Sequence, residues 1–97
     1  MTSPILRAQL EHGDSYDDPS EDALFEILAD IDAGEALWVI VERLDDPNRQ
    51  TYAQALCDKD GTYLVERRLG TEATHEATRV PDMRQAHQLL TRWAFAL

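Results

Sequence analysis

The chain has 97 residues, 19 acidic against nine basic side chains, a net charge of −10 and one cysteine. That length suits a single domain, residues 1–97, which buries roughly 65% of its unfolded surface and needs no metal or disulfide to hold a core. One cysteine excludes an internal disulfide, and no apolar run approaches the roughly 20 residues of a membrane-spanning helix.

The charge is unevenly spread. Residues 1–46 carry thirteen acids and two bases, a net of −11, whereas residues 47–97 carry six acids and seven bases, a net of +1. An acidic face repels phosphate, so nucleic acid is not the expected partner; it speeds encounter with a cationic surface, so a basic protein partner is. The plain alternative is that the charge serves solubility. The opening Met-Thr-Ser-Pro-Ile-Leu-Arg lacks the basic-then-apolar layout of a signal peptide, and with the unpaired cysteine this leads to the expectation of a cytoplasmic protein.

In chain order, Pro4 to Leu10 alternates weakly and predicts a short strand, followed by a polar loop from Glu11 to Asp17. Asp18, Pro19 and Glu21 have the spacing of an N-cap, first helical residue and capping-box acid. Ala23, Leu24, Ile27, Leu28 and Ile31 then make an apolar stripe, with Asp22, Glu26 and Asp30 in a row on the opposite face, and Gly34 ends the helix. Asp30 and Asp32 near its C-terminus oppose the helix dipole, a cost consistent with carboxylates kept for a partner.

Ala36 to Leu44 is β-branched and aromatic and predicts a central strand buried on both faces. After the turn Asp45–Asn48, two strand-like runs between Gln50 and Arg68 flank Asp58-Lys59-Asp60-Gly61, a bulged hairpin turn in which Gly61 supplies the left-handed residue. A four-residue turn sets Cys57 opposite Thr62 and leaves Tyr52 and Tyr63 on a partly open face, with Ala53 and Ala55 under the helices; a one-residue slip reverses the assignment. Glu72 to Val80 predicts a last strand. Asp82 and Gln85 then open a C-terminal helix whose stripe holds Met83, Ala86, His87, Leu90, Trp93, Ala94 and Leu97. The expected fold is α+β, an antiparallel four- to five-stranded meander with two helices packed on one face.

No catalytic or cofactor motif is present. His12, His75 and His87 have neither mutual helical spacing nor cysteine partners, so no zinc site is predicted. The acids from Asp14 to Asp22 lack the alternation and mid-loop glycine of a calcium loop. Asp58 beside Cys57 discourages a thiolate, which makes that cysteine a packing residue. The expected protein is therefore not an enzyme and carries no cofactor and no metal.

Tyr52-x-Gln54, Asp58-x-Asp60-Gly61, Tyr63-Leu64-Val65-Glu66-x-Arg68-x-Gly70, Val80-x-Asp82 and Thr91-Arg92-Trp93-Ala94-Phe95 together resemble the Imm1-type immunity proteins of actinobacterial polymorphic-toxin systems. The likeness spans about the second half of the chain; the acidic first half follows no fixed pattern of that family. It implies an α+β protein that binds and neutralises a cognate toxin domain, for instance a nuclease. The acidity of the first half independently permits such binding and suggests as contact residues Asp14, Asp17, Asp18, Glu21, Asp22, Glu26 and Asp30, with Tyr52 and Tyr63 of the hairpin at the rim. Two alternatives are a small acidic chaperone or adaptor for a secreted protein, and a minor enzyme subunit or a domain with a small-molecule pocket.

Overall fold

A computed structural model describes residues 3–97. Strands β1 (Leu6–Leu10), β2 (Ser15–Asp17), β3 (Trp38–Arg43), β4 (Thr51–Cys57), β5 (Tyr63–Leu69) and β6 (Glu76–Val80) form one antiparallel sheet in the order β2-β1-β3-β4-β5-β6. Helices α1 (Glu21–Asp32) and α2 (Met83–Ala94) cover one face, α1 beside β3 and α2 over β4 and β5. The fold is α+β, as the alternation and capping signals predict, with six strands in place of the expected four to five.

The added strand is β2. Ser-Tyr-Asp has no apolar alternation, and all three residues are exposed, so only pairing with β1 defines it. It turns back from β1, and α1 then carries the chain across to β3, which pairs on β1's other side.

The core lies between the sheet and the two helices. Ala8, Leu10, Val39, Val41, Ala53, Ala55, Tyr63 and Val65 face Leu24, Leu28, Ile31, Ala86, Leu90 and Trp93. Alanines at the centre of β4 let α2 approach closely, as the sequence suggests. Among the described residues, no helix or second sheet covers the opposite face. β3 is therefore not buried on both faces: Val39 and Val41 are enclosed, while Trp38 and Ile40 are only half-buried.

The hairpin between β4 and β5 closes one residue differently from the expectation. Asp58 N–H donates to Thr62 O at 2.8 Å, so three residues, Lys59 to Gly61, form the loop between them. Gly61 has φ 85°, the left-handed geometry that a three-residue bulged hairpin needs. Cys57 consequently faces Tyr63 and not Thr62. This shift turns β5 over: Tyr63 and Val65 go under the helices, and Leu64, Glu66 and Arg68 join Tyr52 on the open face.

Helix capping is half as expected. Asp82 caps α2, its carboxylate accepting from Gln85 N–H at 2.9 Å. At α1 the cap is Ser20, whose Oγ accepts from Ala23 N–H at 3.1 Å, two residues beyond Asp18. Asp18 sits at φ 45° and accepts the backbone N–H groups of Ile5 and Leu6 at 3.0 and 2.9 Å, so it fastens the start of β1. Glu72 to Thr74 is a short 3-10 turn, which shortens the last strand to β6.

Candidate partner-binding surface

Leu24, Ile27, Leu28 and Ile31 anchor α1 to the core, which fixes Asp22, Glu26 and Asp30 on its outer side. Residues four apart lie about 6 Å apart along a helix, so the three carboxylates form one ridge. α1 holds five acids and no base, and Glu35 follows just beyond it.

The structure divides the acids of the first half into two groups. Asp17 pairs with Arg7 at 2.7 Å, Glu42 with Arg49 at 3.1 Å and Asp45 with Arg43 at 2.6 Å. Glu11 accepts Leu37 N–H and Asp32 accepts the Tyr63 hydroxyl. Asp46 holds a turn by accepting Asn48 N–H, Gln50 N–H and Thr51 O–H. Asp14 stands 3.7 Å from His12. By contrast, the carboxylates of Glu21, Asp22, Glu26, Asp30 and Glu35 make no hydrogen bond or ion pair among the described residues.

Of the residues singled out from sequence, Glu21, Asp22, Glu26 and Asp30 therefore form one exposed and unengaged surface. Asp14, Asp17 and Asp18 lie at and around β2, with Asp17 bonded to Arg7 of β1 and Asp18 to the backbone of Ile5 and Leu6. Tyr52 is half-buried on the other, open face. Tyr63 is not at a rim: it is 0% exposed, because the three-residue loop turns it inward.

Hydrogen bonding to Arg43 holds Asp45 below the usual carboxylate range, the Asn48 N–H and Thr51 hydroxyl do so for Asp46, and Thr62 does so for Asp60. Arg7 and Arg43 are raised by the same pairings, with Asp17 and Asp45 respectively. Burial, then the bonds to Asp32 and Cys57, push the Tyr63 phenol well above its ordinary value.

The open face carries a cluster that no local sequence pattern announces. Arg68 donates to Gln50 Oε1 at 2.7 Å and, through Nε–H, to His75 Nδ1 at 3.2 Å. Nδ1 is thus an acceptor, so Nε2 carries the proton and donates to Glu66 at 2.7 Å. Both ring nitrogens are engaged, which makes His75 a tie between β5 and the 3-10 turn. The Tyr52 ring lies 5.9 Å from the Arg68 guanidinium and 6.3 Å from the His75 ring. Next to this cluster Trp38, Ile40, Gln54 and Leu56 line a hollow of about 270 Å³.

Among the described residues, no group of three or more His, Cys, Asp or Glu side chains is placed to hold a metal ion, and no helix is long and apolar enough to cross a membrane. No family model, curated protein or solved structure matches this chain.

Proposed function

We propose that the chain is an immunity-type inhibitor that binds a basic toxin domain through α1 and neutralises it without catalysis. The observation that carries this reading is the row Asp22, Glu26 and Asp30, with Glu21 and Glu35, left without partners among the described residues while most other acids are employed by the fold. Like charges four apart on a helix repel, and Asp30 also opposes the helix dipole. A surface that keeps such charges gains from a cationic partner, which it attracts over about a Debye length and selects by sign. A nuclease toxin fits because it needs a basic groove for phosphate, which an acidic helix can occupy in place of substrate.

A second reading, a chaperone or adaptor for a secreted protein, is favoured by the half-buried apolar side chains Trp38, Ile40 and Leu56 on the uncovered sheet face. The two separate in parallel affinity captures from the source cells. One bait is the native chain and the other carries Asp22→Asn, Glu26→Gln, Asp30→Asn and Glu35→Gln. The first reading predicts a basic protein retained only by the native bait, whose toxicity on expression is relieved by the native chain and not by the variant. Equal retention by both baits, with loss on Trp38→Ala, would favour the second.

A further inference from the structure

The two edges of the sheet differ. The β2 edge is three residues long, ends in Asp17 and is flanked by Asp14 and Asp18, charges that discourage another strand from pairing there. The β6 edge runs for five residues, and its outer side pairs with nothing among the described residues. Its two charged side chains are turned to neighbours, Glu76 to Arg67 and Arg79 to Asp58. Ala77 and Thr78 between them are left exposed; β6 itself holds no proline or lysine, and Pro81 follows only at its end.

A groove of about 350 Å³ runs along this edge beneath α2. Thr78 and Val80 line it from β6, and Leu89, Trp93, Gln88 and Arg92 from the helix. α2 carries no acid, and Arg84, Gln88 and Arg92 form a row at the same spacing as the carboxylates of α1. Neither Arg84 nor Arg92 has a carboxylate partner among the described residues.

We infer that the β6–α2 groove is a strand-addition site for an extended, acidic peptide segment of a protein partner. Such a segment pairs its backbone with β6, about 4.8 Å outside it. Alternate side chains then point under α2, where apolar ones meet Val80, Leu89 and Trp93, and a carboxylate meets Arg92. The charge of the α2 row selects the occupant. Two-fold pairing of β6 with a second copy would bring two arginine rows together along the seam, whereas an acidic strand complements them. The site lies at the opposite sheet edge from β2 and on the other helix from the acidic ridge, so it does not depend on that ridge.

Isotope-labelled full chain titrated with the acetylated, amidated peptide Glu-Thr-Val-Ser-Val-Thr-Glu, which sets its valines and glutamates on one strand face, tests this. Expected are saturable amide shifts at Glu76–Val80 and Leu89–Trp93. Binding weakens at least tenfold when glutamates become lysines, when alternate peptide amides are N-methylated, or when the chain carries Arg92→Glu. The variant neutralised at Asp22, Glu26 and Asp30 binds the peptide as the native chain does, so failure of the α1 reading leaves this one standing. Absence of saturation at millimolar peptide, shifts confined to the open face, equal binding by the Arg92→Glu chain, or dimerisation through β6 in place of peptide binding would each overturn it.

Discussion

The Tyr63 hydroxyl donates to Asp32 Oδ1 at 2.8 Å, joining the first residue of β5 to the last of α1. The bond pins the end of the acidic helix to the start of β5, the strand beside the β6 edge. Tyr63→Phe keeps the packed ring and removes only this tie, so it lowers the stability measured by urea unfolding by about 0.5–1.5 kcal/mol. Tyr63→Ala empties a fully buried site and costs about 3–5 kcal/mol.

The same residue sets an alkaline limit. Because its folded-state value lies above the ordinary 10.0, stability is fully present below pH 10 and falls as pH rises through the folded value, where the unfolded chain loses the proton more readily. Urea midpoints measured from pH 9 to 11 should decline in the native chain, and part of that decline should vanish in Tyr63→Phe.

The α1 ridge predicts the opposite of a usual surface mutation. Asp30→Asn relieves repulsion from Glu26 and removes a negative charge near the helix C-terminus, so it should stabilise the fold by a few tenths of a kcal/mol. Replacing Glu26 as well, by Gln, should add to this gain by relieving its repulsion from Asp22, whereas Asp22 itself sits in the first turn, where its charge favours the helix dipole. Thermal unfolding at low salt measures it, and added salt should shrink the difference.

Gly61 has open space where a side-chain methyl would sit, yet it holds φ at 85°. Gly61→Ala is therefore opposed by backbone strain and not by contact, at about 1–2 kcal/mol, while Gly61→Asn, which tolerates the left-handed region, costs less. Chemical unfolding of the two variants orders them.

Asp46 is held below its ordinary 3.8 by Asn48 N–H and the Thr51 hydroxyl, so its contribution is present above that pH and lost as pH falls through the folded value. Asp46→Ala should be less stable than the native chain at pH 6, and the gap in urea midpoint should close towards pH 2.

What can be read from the sequence divides along physical lines. Asp82 and Gln85 announce α2 because a cap is a local event, and the row Asp22, Glu26 and Asp30 follows from helical periodicity alone. Ser20 is hidden because Asp17, Asp18 and Ser20 offer rival caps, and Asp18 is claimed instead by the amides of Ile5 and Leu6, thirteen and twelve residues away. One residue of loop length is enough to move Tyr63 from the open face, where its spacing puts it, into the core. The contact between His75 and Glu66 depends on the pairing of β5 and on the 3-10 turn, neither of which a local pattern encodes.

Recognition of a cationic partner by α1 is tested most directly by an association rate. The captured basic protein is mixed by stopped flow, at low and high salt, with the native chain and with the Asp22→Asn, Glu26→Gln, Asp30→Asn, Glu35→Gln variant. The predicted native rate falls steeply with salt, and the variant rate is roughly tenfold or more lower at low salt and nearly independent of it. Equal rates for the two chains at every salt concentration would contradict this and leave α1 a solvated surface.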